Sequence, residues 1–157
     1  MSHRPPRPRR SLLALLAAPL VLASCYNLAE PSFHPGDARQ VMSAISRRGV
    51  TIETTTAGDS ACSDPGLVPN SMHLRGSVAS DATQRDIWIY TFREKYWTAS
   101  QAAVDACQAA YQAANPGAVI TRIDIPTYRA FGADWSTDLT ESVRGGLKEA
   151  ADEGEQP

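Results

Sequence analysis

Residues Asp86-Ile87-Trp88-Ile89-Tyr90-Thr91-Phe92-Arg93 decide the architecture of this chain. The six residues between the charged ends are β-branched or aromatic. A strand turns successive side chains to opposite faces, and here both faces are apolar. The stretch therefore predicts a central strand covered on both sides. Moving toward the N-terminus, Met72, Leu74 and Val78 alternate as a preceding strand, and residues 79–85 read as the hairpin loop joining the two. Residues 50–56 are rich in β-branched side chains and predict another strand. Ahead of it, Asp37 reads as a helix N-cap, and Ala38, Val41, Met42 and Ile45 follow at helical spacing. Gly49 ends that helix after Arg47-Arg48, whose charges suit the carboxyl end of the helix dipole. Residues 57–71 carry Gly58, Asp59, Ser60, Asp64, Pro65, Gly66, Pro69 and Asn70 and read as loop. A loop of that length in a compact domain is usually functional or pinned.

Toward the C-terminus, Thr98 or Ser100 is expected to cap a long alanine-rich helix that runs to about Ala114. Asn115-Pro116-Gly117 stops it. Ala103, Val104, Cys107, Ala110, Tyr111 and Ala114 form its expected inner stripe. Val119, Thr121, Ile123 and Ile125 alternate as a fourth strand ended by Pro126. Ser136, Thr137 or Asp138 opens a last helix with Leu139, Val143, Leu147 and Ala150 inward, weakened by about 1 kcal/mol at each of Gly145 and Gly146. The expected fold is α+β. It is one small domain over residues 37–151, with about four strands in a mixed or antiparallel sheet packed against two to three helices, mainly on one face. Residues 152–157 read as an acidic disordered tail.

The first 25 residues carry a different message. Arg4, Arg7, Arg9 and Arg10 precede an apolar run over residues 12–23, which is too short to span a bilayer. Leu22-Ala23-Ser24-Cys25 closes the run and resembles the lipobox of bacterial lipoproteins. That resemblance implies a signal peptide over residues 1–24, cleavage before Cys25, and thioether lipidation of Cys25 with palmitate-type acyl chains. Residues 25–36, with Pro31 and Pro35, then read as a tether. The implied location is the extracytoplasmic side of a cell membrane, with the membrane itself as one partner. An ordinary cleaved signal near Ala23-Ser24 is the plainer alternative. Arg9-Arg10-Ser11-Leu12-Leu13 also resembles a twin-arginine export signal, although an arginine-rich leader produces such pairs on its own.

Removing a 24-residue leader from 157 leaves 133 residues, one domain's worth. The 15 basic residues fall to 11 against 17 acidic ones, so the remaining charge is about −6. An acidic surface argues against nucleic acid as a partner. With Cys25 assigned to lipid, Cys62 and Cys107 remain. An even pair in an exported domain reads as a disulfide. Two free thiols or two halves of a metal centre are the alternatives, and distant single cysteines make a poor zinc signature.

No motif in the domain carries chemistry with comparable strength. Gly58-Asp59-Ser60 resembles the nucleophile block of GDSL-type lipases, but that family's downstream histidine is missing, since no His follows His73. A serine without a base is a weak nucleophile, and the turn reading of Gly-Asp-Ser is the simpler one. His34 sits in the tether and His73 on a strand, where hydrogen bonding is expected rather than metal binding. Asp81 and Asp86 are too few and too far apart for a calcium loop. Neither a metal nor a cofactor is expected. Trp88, Tyr90 and Phe92 are expected in the core, whereas Tyr96, Trp97, Tyr128 and Trp135 fall at element junctions and are the candidate ligand contacts. The expectation is a non-catalytic binding or accessory module of the cell envelope, with an unknown envelope protein or small ligand as partner. A small extracytoplasmic hydrolase of unrecognised type is the alternative.

Overall fold

The computed structural model describes residues 38–92 and 97–154, with the side chains of residues 97–99 outside that description. The leader, Cys25, the tether, the Asp37 cap, Tyr96 and the Thr98 cap therefore lie outside it. The elements run α1 (Ala38–Arg47), β1 (Val50–Ala57), β2 (Ser71–Val78), β3 (Asp81–Thr91), α2 (Trp97–Ala114), β4 (Ile120–Asp124), β5 (Tyr128–Ala133) and α3 (Thr137–Gly154). A short 3-10 turn, Val68–Asn70, leads into β2. The strands form one five-stranded sheet in the order β1-β2-β3-β5-β4, and every neighbouring pair is antiparallel. The protein is α+β, and β3 is the central strand that its sequence predicts.

Four expectations need correction. The sheet has five strands rather than about four. Residues 128–133 belong to β5, which pairs with β3 on one side and β4 on the other. Pro126 does end β4, but it does so inside a tight reversal. Ile125 N–H donates to Tyr128 C=O and Tyr128 N–H returns to Ile125 C=O. The chain folds straight back into the sheet. The β2–β3 connection is only Ala79–Ser80, because the polar run from Asp81 keeps pairing through Val78↔Asp81 and Gly76↔Arg85. Backbone ladders continue there without apolar side chains to announce them. Helices cover both faces rather than mainly one. Finally, α3 continues through Gly154, so residues 152–154 are helical rather than tail.

The strand alternation separates two cores. On one face, Met72, Leu74, Ile87, Ile89, Ile123, Tyr128 and Ala130 meet Val41, Ala44 and Ile45 of α1 and Leu139, Val143 and Leu147 of α3. On the other face, Trp88, Tyr90, Phe92 and Phe131 meet Val104 and Cys107 of α2 together with Leu67 from the long loop. Each fully buried aliphatic side chain contributes roughly 1.5–3 kcal/mol relative to exposure.

Local sequence explains most of the element ends. Gly49 at φ +93 and Gly117 at φ +92 take the left-handed conformation that closes α1 and the α2 terminus. Ser136 caps α3 through its hydroxyl to Leu139 N–H at 3.3 Å. Gly146 has a tertiary reason. A Cβ placed there would lie 2.6 Å from Ile45 Cα and 2.8 Å from Ile45 N. The residue that weakens α3 as an isolated helix is the one that lets α1 and α3 touch. Arg47 and Arg48 then pair with Glu149 at 2.6 and 2.8 Å across the same contact.

The α2 stripe is narrower than its spacing suggests. Val104 and Cys107 are buried, and Ala103 and Tyr111 pack at the edge of the cluster, but Ala110 and Ala114 face solvent. Val119 is 70 % exposed and precedes β4 rather than opening its inward set.

Candidate functional site

The aromatic face carries a grouping of polar side chains around His73. It is built from β2, β3 and the loop after β1. His73 and Trp88 are direct cross-strand partners, and their rings stack at 4.5 Å with planes 6° apart. Tyr111 of α2 closes on the indole at 4.6 Å and 58°, and Phe131 of β5 lies at 5.9 Å. These offset and tilted arrangements are the favourable ones for aromatic pairs.

The His73 ring is held at both nitrogens. Nδ1 is 2.9 Å from an Asp59 carboxylate oxygen, and Nε2 is 2.9 Å from Asp86 Oδ1. Arg75 approaches the same Asp86 oxygen at 3.6 Å. The ring therefore bridges two carboxylates, with each nitrogen facing one of them. It has no free nitrogen for taking a proton from a substrate.

Asp59 arrives through a tightly fixed loop. Gly58 N–H donates to Ser71 C=O at 2.9 Å, and Gly58 sits at φ +78 with Val68 against it. Ala61 N–H donates to Asp59 Oδ1 at 3.1 Å. The Tyr90 hydroxyl donates to Ser60 C=O at 2.5 Å. Burial, and secondarily the Asp59 charge, push the Tyr90 phenol far above its ordinary pKa, so it stays a donor. Burial likewise raises the Tyr111 phenol, with smaller contributions from Asp86 and Asp134.

Ser60 is 2 % exposed, and its hydroxyl donates to Cys62 C=O at 2.6 Å. The Gly-Asp-Ser stretch is thus a turn whose serine points inward. Cys62 is joined to Cys107 of α2, with Cα atoms 5.3 Å apart. Of the sequence-derived pairings, this one is brought together.

The aromatic contact residues fare differently. Tyr128 and Trp135 are buried on the aliphatic face, which corrects their reading as ligand contacts. Trp135 lies over Gly132, where a Cβ would fall 2.3 Å from the indole nitrogen, and its N–H donates to Asp86 C=O at 3.0 Å. The polar end expected to stay wet is satisfied by backbone instead. Tyr96 and the Trp97 side chain lie outside the described residues.

Sequence reading also missed Arg129. Its side chain is 4 % exposed, on β5, and it meets Asp105 of α2 at 3.1 Å, Gln101 C=O at 3.3 Å and the Asp124 carboxylate. Arg122 joins Asp105 at 2.6 Å and Asp124 at 2.7 Å. Burial opposes ionisation of Asp124, but hydrogen bonds from Arg122 and Arg129 outweigh it and hold the carboxyl below its usual range. The network fastens α2 to β4 and β5 through Gln101 and Asp105, close to Cys107 on the helix.

Among the described residues, no group of three His, Cys, Asp or Glu side chains is arranged to hold a metal ion. In the Asp59–His73–Asp86 trio the ring bridges the carboxylates, so the three do not converge on a common centre. Asp81 is engaged by Thr83, which lowers its pKa, and takes no part. Among the described residues, no helix is long and apolar enough to cross a membrane. Neither protein-family models, nor curated proteins, nor solved structures give a match to this chain.

Proposed function

We propose that this chain is an exported bacterial lipoprotein, anchored through Cys25 on the extracytoplasmic side of a membrane, whose α+β domain is a non-catalytic binding or accessory module of the envelope. The single observation that carries the export half is the Cys62–Cys107 disulfide, since such bonds persist in oxidising compartments. It agrees with the basic leader and with Leu22-Ala23-Ser24-Cys25. Two or three acyl chains at Cys25 would anchor the domain firmly, each buried CH₂ adding about 0.8 kcal/mol.

The non-catalytic half is supported by how the polar groups are used. The Ser60 hydroxyl is turned inward, and both His73 nitrogens already face carboxylates. Half-exposed Asp59, Arg75 and Asp86 around His73 are the polar surface we assign to partner contact, in place of Tyr128 and Trp135. The deciding experiment is Cys25→Ser with membrane fractionation and mass analysis. Loss of the acyl mass and release of the domain are expected, and a variant that remains processed and membrane-bound refutes the anchor. A fluorophosphonate probe separates binding module from hydrolase. No labelling of Ser60 is expected, and labelling abolished by Ser60→Ala would restore the hydrolase.

A further inference from the structure

The two sulfurs of the disulfide lie in unlike surroundings. Cys107 is 2 % exposed and belongs to the aromatic cluster, whereas Cys62 is only half-buried. An open groove of about 480 Å³ lies against the bond, lined by Cys62, Ser63, Asp64, Pro65, Ala103 and Ala106 along with Cys107. Ser60 Oγ stands 4.0 Å from Cys62 Sγ while its proton goes to Cys62 C=O at 2.6 Å. Ala61, between them, sits at φ +57, a left-handed conformation that a residue with a Cβ rarely adopts. Three ties hold this strained segment: Asp59 to His73, Tyr90 to Ser60 C=O, and the disulfide itself.

The geometry points to a thiol–disulfide exchange site: we propose that a protein dithiol of the C-x-x-C class reduces Cys62–Cys107 by attack at Cys62, and that opening the bond unlatches Asp59 from His73. Which sulfur is attacked depends on access and on the leaving thiolate. A partner thiolate forms a bond to Cys62 Sγ, and Cys107 leaves as the thiolate and takes up a proton. The partner's second thiolate then attacks its own sulfur in the mixed disulfide, and Cys62 leaves and is protonated in turn. Two electrons pass to the cysteine pair, and the partner ends as a disulfide. Once the covalent tie is gone, relief of the Ala61 conformation favours movement of residues 59–62. Asp59 then leaves Nδ1 of His73, and Asp86 on β3 stays. The inference concerns the domain alone and does not depend on the lipid anchor.

The test uses the folded protein and a thioredoxin-type probe whose second C-x-x-C cysteine is replaced by serine, so that the mixed disulfide is trapped. Peptide mapping should find the probe on Cys62 in roughly tenfold excess over Cys107. No adduct in the folded protein while the urea-unfolded protein reacts, or an adduct mainly on Cys107, overturns the exchange site. Cys107→Ser gives an independent reading, because it leaves Cys62 without its partner, and peptide mapping tells its alkylation from that of Cys25. Alkylation of Cys62 by iodoacetamide without denaturant is expected, and protection overturns the proposal. After reduction by the intact dithiol probe, amide exchange in residues 59–62 should rise while β3 and β5 stay protected. Unchanged exchange in that segment overturns the latch.

Discussion

The two faces of the sheet are closed by different means. On the aliphatic face α1 and α3 lie across β1, β2 and β4 and touch each other at Ile45 and Gly146. On the aromatic face lies a single alanine-rich helix, α2, of whose described side chains Val104 and Cys107 alone are fully buried. Alanine adds little apolar area, so burial of the described side chains contributes little to holding α2. Its attachments are specific instead: the disulfide at Cys107 and, beside it on the helix, the Arg122–Arg129–Asp105–Asp124 network. The contrast teaches that a helix can be rich in helix-forming residues and still depend on staples for its place in the fold. It also locates the polar cluster around His73 on the face whose cover is pinned at points.

Breaking the staple should have the largest effect. Paired Cys62→Ala and Cys107→Ala open a loop with a sequence separation of 45. Loss of about 3–4 kcal/mol is expected, read by urea denaturation. Native-state hydrogen exchange should rise over α2 and little over α1 and α3. Equal loss on both faces would erase the distinction drawn between them.

Next in size is the helix contact on the other face. Gly146→Ala drives a methyl into Ile45 and should cost about 2 kcal/mol, read as a lower denaturation midpoint. Its neighbour supplies the control. A Cβ at Gly145 meets only the flexible Arg48 side chain, at 3.5 Å or more, so Gly145→Ala should stabilise by up to about 1 kcal/mol. If both substitutions behave alike, the closeness of α1 to α3 is not what Gly146 provides.

The smallest expected effect separates the ionic attachment of α2 from the covalent one. The folded-state pKa of Asp124 is depressed, so its contribution is present above the ordinary carboxylate value of about 4. It is lost as pH falls through the depressed value. Glu149 is depressed in the same direction by Arg47 and Arg48 on the aliphatic face, so acid weakens both faces. Asp124→Asn should remove only the share of the aromatic-face network, in which Asp124 holds Arg122 and Arg129 where they meet Asp105 of α2. The variant should be less stable by roughly 1 kcal/mol at neutral pH and converge on the parent in acid. A constant difference across the acid range would mean that the charge on Asp124 does not matter.

How much was legible in the sequence follows from the range of each signal. Alternation at residues 87–92, helical spacing in α1 and α3, and the positive-φ stops at Gly49 and Gly117 are written over a few consecutive residues. Cysteine counting reached Cys62–Cys107 without geometry. The β5 strand was obscured because Pro126 and the aromatic residues after it resemble a turn-rich loop, while the reversal itself is carried by two backbone hydrogen bonds. Tyr128 and Trp135 could not be placed because amphipathic rings suit a wet junction and a core equally well. Gly132 and the Asp86 carbonyl decide for the core at Trp135.

The amino-acid sequence by itself determined the α+β class, the central strand, the helices and the cysteine pair, since periodicity, capping and composition act locally along the chain. Only the tertiary structure decided which helix covers which face, why Gly146 is small, and that His73 bridges Asp59 and Asp86. Those facts depend on strand register and loop path. They bring together groups more than ten residues apart, through ring stacking, ion pairs and close helix approach, and no local pattern specifies such distances.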